Sequence, residues 1–367
     1  MDKPIRVLHI LQRMEAGGIQ ALLMNMYRNI NRNKVQFDFL VHYEEDQFYD
    51  DEIKRLGGRL YKLSVREDFN FIKYWRDLDR FFKKHKEYTI VHSHMYTLGF
   101  IYLLAAKKNG VPIRIAHSHE KSADHDWKYF VKKIMAKLYG KYATDYFACS
   151  EDAGHFLFPN EDFIVLKNAI NTEDFICQQS LRDEIRKNLN IEDKFVIGHV
   201  GRFHTTKNHS FLIDIFYHLH KIEKNSILLL IGSGELEGEI RKKVKALELE
   251  DSVQFLGNRR DVNKLYQAMD IFVLPSIAEG LGIVAIEAQA ANTPIICSDT
   301  VPNEINITPL VHYLSLNQKP QEWAKEIIRV KEKNIHIADI DKRIIDFGYD
   351  ISSVSKKMEE YYLKKLK

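Results

Sequence analysis

Membrane-spanning, secretory and disulfide signals are all missing from this sequence. No apolar run approaches the ~20 residues that a membrane-spanning helix needs, and residues 1–7 lead directly into a strand pattern without a signal-peptide core. The three cysteines, Cys149, Cys177 and Cys297, are far apart and odd in number, so they form neither a disulfide framework nor a zinc pattern. We expect three buried thiols in a cytoplasmic protein.

The composition is that of an ordinary globular protein, and the length suits two domains. The chain has 367 residues, of which 45% are hydrophobic and 29% are charged. Residues 1–167 carry 27 Lys and Arg against 22 Asp and Glu, whereas the remainder carries 27 against 29. A basic first half fits an anionic partner such as a lipid surface or a lipid pyrophosphate. Two ordinary solvated surfaces fit these counts equally well.

Short β-branched runs alternate with stretches of helical period, which predicts parallel sheets built from βαβ units. The strands predicted in the first half are residues 5–11, 35–41, 59–63, 89–92, 113–117, 146–149 and 163–166. Those predicted in the second half are residues 195–200, 227–231, 253–256, 271–274, 294–297 and 311–314. The polar stretch 168–193 contains no clear strand and separates two doubly wound domains, 1–170 and 171–349. Such domains in tandem place a ligand cleft between them, at the carboxyl ends of the strands.

The most informative segment is residues 275–288, where a strand ends, a glycine-containing turn follows and a helix begins near Leu281. Free N–H groups at a helix start bind anions, and glycines let a phosphate approach. Glu279 and Glu287 are separated by roughly 10–12 Å on helical geometry. This is too far for a glycosidase pair, which needs ~5–9.5 Å, and it suits a diphosphate with a sugar between the carboxylates. Alternatively, Glu279 is a helix-start carboxylate favoured by the helix dipole.

Two further strand-to-helix turns carry phosphate-compatible residues. Arg202 and Lys207 follow a strand and could both reach a diphosphate leaving group, although cations at such positions are also common surface residues. The pair Gly17-Gly18 follows the first strand and permits close approach of a phosphate or sugar. Neither this pair nor residues 232–238 complete the GxGxxG fingerprint, which disfavours a nicotinamide cofactor.

Histidines cluster after two predicted strands of the first half: His92 with His94, and His117 with His119. Alternation places His117 and His119 on the same side of an extended chain, an arrangement that would suit metal ligation. We find no companion ligand at a characteristic metal spacing, so we favour hydrogen bonding in the cleft. Plain packing is the second interpretation and a metal site the third.

Taken together, these segments resemble glycosyltransferase family 4, especially the transferases of bacterial capsules and exopolysaccharides. The most specific element is the E-x7-E signature from Glu279 to Glu287. The resemblance implies an α/β fold of the GT-B type, with two facing Rossmann-like domains and an inter-domain cleft. It also implies that domain 1–170 binds the acceptor and domain 171–349 the nucleotide-sugar donor, and that the last helix, within 350–367, packs back on the first domain.

The resemblance also implies roles for individual residues. Arg202 and Lys207 would bind the donor diphosphate, Glu287 the ribose, and Glu279 and His117 would act at the transferred sugar. The implied catalytic residues are His117, Glu279, Arg202 and Lys207. The implied donor-binding residues are Gly17, Gly18, Arg202, Lys207, Gly232, Asn258, Arg259, Glu279, Gly280, Leu281, Gly282, Ile283 and Glu287. Asn208 and Asn292 stand where the family often has Gly, and Asn tolerates left-handed geometry.

The expected activity is therefore retaining transfer of a hexose or N-acetylhexosamine, without a metal ion or other cofactor. We favour a UDP-sugar as donor and a lipid-pyrophosphate-linked glycan as acceptor, in surface polysaccharide biosynthesis, with no nucleic-acid partner. The alternatives are a nucleotide-sugar 2-epimerase of the same architecture and a non-catalytic partner subunit.

A predicted basic helix suggests peripheral association with the inner face of the membrane. Its lysines are Lys128, Lys132, Lys133, Lys137 and Lys141. Most of them share one helix face and would contact an anionic leaflet. The alternative is a solvated helix face whose apolar stripe packs on the sheet.

Overall fold

Two units make up the fold, and the end of the chain belongs to the first of them. The computed structural model describes residues 3–15, 17–64, 71–96, 98–119 and 129–366, without the side chains of residue 71 and residues 129–134. The first unit contains Met1–Ile170 and Gly348–Lys367, and the second contains Asn171–Phe347.

The first unit is built on a parallel sheet. Within the described residues its strands are β1 (Ile5–Ile10), β2 (Val35–Val41), β3 (Leu60–Lys62), β4 (Ile90–Ser93), β5 (Ile113–Ser118), β6 (Asp145–Ala148) and β7 (Ile164–Val165). They lie in the order β3-β2-β1-β4-β5-β6-β7 with parallel pairing. The order reverses between β1 and β4, the position at which doubly wound sheets bind ligands. The helices are α1 (Gly18–Asn29), α2 (Asp50–Arg55), α3 (Phe71–Lys84), α4 (Gly99–Lys108), α5 (Tyr129–Tyr142) and α6 (Glu151–Leu157).

The second unit repeats this plan with its own parallel sheet. Its described strands are β8 (Phe195–Val200), β9 (Ser226–Ile231), β10 (Val253–Gly257), β11 (Ile271–Leu274), β12 (Ile295–Ser298) and β13 (Val311–Leu314). They lie in the order β10-β9-β8-β11-β12-β13, so the reversal falls between β8 and β11. The helices are α7 (Gln179–Leu189), α8 (His209–Ile222), α9 (Glu237–Ala246), α10 (Val262–Ala268), α11 (Ile283–Ala290), α12 (Pro320–Lys333) and α13 (Ile340–Asp346).

Burial on both faces of the sheets explains their apolar sequences. Every residue of β9 and of β11 is buried, as expected for parallel strands that helices cover on both sides. The predicted fold class, two α/β Rossmann-like domains with parallel sheets, is confirmed.

The last helix, α14 (Ile351–Lys365), packs on the first unit. Asp350 caps its N-terminus by accepting a hydrogen bond from the backbone N–H of Ser353 at 2.9 Å. Its apolar side, which includes Met358 and Tyr362, lies in the same core as β1, β2 and α1. Of the helices in the described part of the chain, none combines the length and apolar character that crossing a bilayer requires.

The expectation of three buried thiols is wrong for one cysteine. Cys149 and Cys297 are buried, whereas Cys177 is exposed. Cys177 lies just before α7, in a connection where Ile176 is also 49% exposed. Because this connection runs over the surface, it gives the thiol no apolar environment.

Candidate active site

The switch point of the second sheet brings two of the predicted segments together. β8 and β11 are adjacent and parallel, so the loops that follow them begin side by side at the carboxyl edge. The backbone N–H of Ile277, after β11, donates to the carbonyl of Thr206, after β8, at 2.7 Å. The two loops are therefore fixed against each other.

An ion pair between Lys207 and Glu279 lies at the centre of this edge. Lys207 Nζ is 2.6 Å from Glu279 Oε1, and the Ser276 hydroxyl donates to the same oxygen at 2.6 Å. Only 8% of the Glu279 side chain and 19% of the Lys207 side chain are exposed. An ammonium has three N–H donors, so Lys207 can bond a phosphate oxygen while it keeps its contact with Glu279.

The start of α11 supplies backbone donors beside this pair. Gly282 precedes the helix at φ +80° and ψ +49°, a left-handed conformation that favours glycine. The helix begins at Ile283, two residues later than the expected start near Leu281. The side chain of Leu281 is buried. The first N–H groups of a helix have no partner within it and attract anions. Gly280 lies in the same loop, between Glu279 and the helix.

Glu287 lies inside α11, where its carboxylate contacts α10. The hydroxyl of Tyr266 donates to Glu287 Oε2 at 3.0 Å. Burial raises the pKa of Glu287 to about 7, and the bond from Tyr266 opposes this shift. The carboxyl group therefore changes charge near neutral pH. In either protonation state it can accept a hydrogen bond from a ribose hydroxyl.

Arg202 is more exposed than Lys207 and has a different partner. Its side chain is 64% exposed, and its Nη2 lies 3.1 Å from Glu235 Oε2. The structure thus gives the two predicted diphosphate ligands different surroundings: Lys207 is held by Glu279, and Arg202 can exchange a surface contact for a ligand.

Gly232 has a structural reason for being glycine. Its φ is +132°, and a Cβ there would lie 2.2 Å from the carbonyl oxygen of Gly201. The loop after β9 therefore packs directly on the backbone that leads to Arg202. Asn258 and Arg259 follow β10 and are exposed, and Arg259 pairs with Asp261 at 2.7 Å. Their places beside a donor stay predictions.

The three predicted residues of the other unit lie at strand ends of the first sheet. Gly17 and Gly18 are exposed at the start of α1, after β1, and a Cβ on Gly18 would meet nothing within 4 Å. His117 is buried in β5.

His117 belongs to a chain of hydrogen-bonded histidines. His92 Nε2 lies 3.1 Å from His117 Nδ1, and His92 Nδ1 lies 2.8 Å from the Tyr362 hydroxyl. His94 lies between two further rings: its Nδ1 is 2.9 Å from His119 Nε2, and its Nε2 is 3.1 Å from His9 Nδ1. Among the described residues, His117 Nε2 has no hydrogen-bond partner.

Burial keeps these rings neutral. It lowers the pKa of His9 and of His119 to about 3, and it lowers the pKa of His92, His94 and His117 well below the ordinary value. Sequence reasoning missed His9 and Tyr362. The signal that could have found His9 is its place one strand away from His92, since β1 and β4 pair with these two residues opposite each other.

Two Rossmann-like units with parallel sheets are the class of fold that the resemblance to glycosyltransferases implies. Sequence models of two families match the chain: "Glycosyltransferase Family 4" over residues 16–174 and "Glycosyl transferases group 1" over residues 181–349. The chain belongs to the family 4 glycosyltransferases and is a transferase enzyme.

The relatives extend over nearly the full chain. The putative glycosyltransferase EpsF of Bacillus subtilis is 36% identical over 357 residues, covering 94% of this chain and 93% of EpsF. The Staphylococcus aureus capsular polysaccharide biosynthesis glycosyltransferase CapH is 27% identical, covering 98% and 99%. An Escherichia coli UDP-Gal:alpha-D-GlcNAc-diphosphoundecaprenol alpha-1,3-galactosyltransferase is 24% identical, covering 98% and 97%.

A solved structure supports the fold. Anabaena HepE, crystallised with UDP and glucose, superimposes with a TM-score of 0.81 at 18% identity, covering 98% of this chain and 99% of HepE. The chain therefore shares the GT-B class of fold.

Proposed function

We propose that this enzyme is a retaining glycosyltransferase of bacterial surface polysaccharide biosynthesis. It would move a hexose or an N-acetylhexosamine from a UDP-sugar to a lipid-pyrophosphate-linked glycan. The observation that carries the proposal is the Lys207–Glu279 pair beside the glycine-capped start of α11. The names of the E. coli and S. aureus relatives support the UDP-sugar, the lipid-diphosphate acceptor and the polysaccharide product.

In this reaction the bond between the sugar C1 and the diphosphate breaks, and the acceptor oxygen bonds to C1 on the same face. The acceptor hydroxyl proton passes to the departing phosphate oxygen. As the bond to C1 breaks, its electron pair stays on the diphosphate oxygen, and Lys207 and the α11 N-terminus stabilise the negative charge that develops there before the proton arrives. Arg202 would leave Glu235 to join them. Because these groups supply the positive charge, we propose that transfer needs no metal ion.

The carboxylates have separate tasks in this proposal. Glu279 accepts hydrogen bonds from hydroxyls of the transferred sugar while Lys207 and Ser276 hold it in place. Glu287 accepts from the ribose, steadied by Tyr266. Asn258 and Arg259 flank the nucleobase, and His117 acts at the reacting sugar, as the family resemblance implies.

A thermal-shift panel of UDP, GDP, ADP and their sugars tests the donor. UDP compounds should raise Tm, and at 100 times Kd the gain in stability is about 2.7 kcal/mol. A larger shift with GDP or ADP compounds would contradict the UDP assignment. Incubation with UDP-sugar alone separates the 2-epimerase, which would release an epimerised soluble product, whereas the transferase needs the acceptor.

We also propose that the first unit binds the anionic inner leaflet through α5. Lys137 and Lys141 are exposed and four residues apart, so they share a helix face. Tyr139, which helical geometry places opposite the two lysines, is buried. Lys128 lies outside the described residues, as do the side chains of Lys132 and Lys133.

A further inference from the structure

The buried histidines of the first unit hold a group of ring nitrogens that fits a metal ion. His94, His117 and His119 each offer one nitrogen, and these three atoms lie within 4.8 Å of one another. They come from the ends of β4 and β5, which are adjacent strands. The third ligand is thus brought to the His117–His119 pair by the neighbouring strand.

The spacing requires little movement to accept a cation. Zinc bonds to imidazole nitrogen at about 2.0–2.1 Å, so tetrahedral ligand nitrogens lie roughly 3.4 Å apart. His94 Nδ1 and His119 Nε2 are already 2.9 Å apart, and the rings of His117 and His119 stack with centroids 4.1 Å apart. The other nitrogen pairs lie within 4.8 Å, so small side-chain rotations would close the set, with the metal replacing the hydrogen bond between His94 and His119.

Neighbouring rings hold the second nitrogens of two of the three proposed ligands, whereas Nδ1 of His119 has no partner among the described residues. His92 holds Nδ1 of His117 at 3.1 Å, and His9 holds Nε2 of His94 at 3.1 Å. Metal-binding histidines usually have their second nitrogen fixed in this way, which orients the ring. His117 is only 1% exposed, and its other nitrogen, Nε2, has no hydrogen-bond partner among the described residues.

A second group, His9 with His92 and His94, also meets the spacing but fits less well. All three of its rings are buried. Both nitrogens of His92 are already bonded, one to Tyr362 and one to His117. The first group instead includes His119, which is half-buried.

We propose that His94, His117 and His119 bind one zinc ion, and that the bound ion inhibits transfer. Three imidazoles suit zinc and other late transition metals, whereas magnesium prefers oxygen ligands. The inhibitory part rests on the proposed function, because the ion occupies the nitrogen through which His117 would act. The ion is not required for transfer.

Cobalt titration of the full-length protein, followed by visible spectroscopy, tests the site without an activity assay. We expect one equivalent of Co²⁺ to give the intense absorption of a four-coordinate site, Zn²⁺ to displace it, and Mg²⁺ to leave it unchanged. His119→Gln, at the half-buried position, should lower affinity at least tenfold while its Tm without metal stays within error of wild type. His155→Gln, an exposed histidine of α6, is the matched control and should bind like wild type. No cobalt binding, or undiminished binding by the His119 variant, overturns the site.

An activity assay tests separately whether the bound ion inhibits transfer. Zinc should lower wild-type turnover, EDTA should restore it, and the His119→Gln enzyme should respond to neither at the same zinc concentration. Full turnover with the cobalt or zinc site occupied would overturn the inhibitory role. If no donor supported transfer at all, the proposed function would fail, while the spectroscopic titration would still decide on the metal site.

Discussion

A carboxylate and an ammonium 2.6 Å apart, both largely withdrawn from water, dominate the site of the second unit. Removing either partner of such a pair leaves the other charge poorly compensated. The pair therefore holds Glu279 and Lys207 in one geometry before a donor binds. Preorganised charge of this kind favours the transition state because it needs no reorganisation as the diphosphate departs.

Replacing Lys207 tests its part in this stabilisation. We expect Lys207→Ala to lower turnover by roughly 10²-fold or more, as the loss of one preorganised donor typically does. Lys245→Ala, at an exposed position of α9, is the matched control and should retain full activity. Steady-state kinetics with the best donor is the measurement. Turnover of the Lys207 variant within threefold of wild type would remove this residue from the mechanism.

Glu287 gives stability a defined pH dependence. Its folded-state pKa of about 7 lies above the ordinary 4.5, so between these values the folded protein holds a proton that the unfolded chain has released. This group therefore lowers stability as pH rises through that window. Glu287→Gln cannot titrate at this position, so it does not lose stability in this way. The free energy of unfolding of the variant, relative to that of wild type, should therefore increase by about 1 kcal/mol or more from pH 5 to pH 8, since one pKa unit corresponds to 1.36 kcal/mol.

Urea unfolding at several pH values measures this effect. Glu184→Gln, at an exposed position of α7, is the control and should track wild type throughout. A stability difference for Glu287→Gln that stayed constant from pH 5 to pH 8 would show that its carboxyl is not perturbed.

At the scale of elements, two helix boundaries depend on asparagines in the left-handed region. Asn208 precedes α8 at φ +57°, and Asn292 follows α11 at φ +59°. The expectation that Asn preserves these turns is confirmed. The structure adds a reason for Asn292: its side chain donates to the carbonyl of Ile337 at 2.8 Å and accepts from its N–H at 3.1 Å.

Asn292→Gly should therefore destabilise the protein although glycine suits the backbone. Two hydrogen bonds worth about 1 kcal/mol each are lost, and relief of left-handed strain returns roughly 1 kcal/mol. We expect a net loss of about 1 kcal/mol in chemical denaturation. Asn208→Gly is the comparison, since the described structure shows no hydrogen bond from that side chain, and it should be neutral or slightly stabilising. Equal effects of the two substitutions would contradict this interpretation of Asn292.

Sequence periodicity predicted the buried elements well and the charge-anchored ones poorly. β2, β8 and β11 have the predicted bounds, since nearly every residue of each is buried between the layers of its unit. α7, by contrast, lies inside the polar stretch 168–193. It is held by Arg182 and Arg186, which both bond Asp270, and partners 84 or more residues away leave no local pattern.

At the scale of the whole molecule, strand order decided which residues meet. The segments predicted to bind phosphate lie between a strand and a helix, as expected, because each comes after a strand in the sequence; phosphate binding itself stays a prediction. Hydrogen bonding among the histidines that follow β4 and β5 was also predicted, and the structure shows it. His9 was missed because it comes from β1, and its place beside His92 depends on the sheet reversing at β1. Tyr362 joins them from α14, 270 residues from His92. Contacts of this range are a property of the fold and have no local signature.

The proposed membrane association is tested on the whole molecule. Liposome sedimentation should show binding that needs anionic lipid and falls as salt is raised. Each lysine near such a surface contributes about 1 kcal/mol, so changing Lys137 and Lys141 to Glu should weaken binding by roughly 30-fold or more. Glu at Lys242 and Lys245, exposed on α9 of the other unit, is the matched control. If equal amounts of protein sedimented with neutral and with anionic vesicles, the lysines of α5 would form only a solvated helix face.

The stereochemistry of the product tests most directly whether this enzyme is a retaining glycosyltransferase. The enzyme should be incubated with a UDP-sugar and a lipid-pyrophosphate-linked acceptor, with EDTA present. The H1–H2 coupling constant of the new glycoside is then read by proton NMR. We expect UDP release and an anomeric configuration identical to that of the donor. An inverted anomeric centre would show that the enzyme is not a retaining glycosyltransferase.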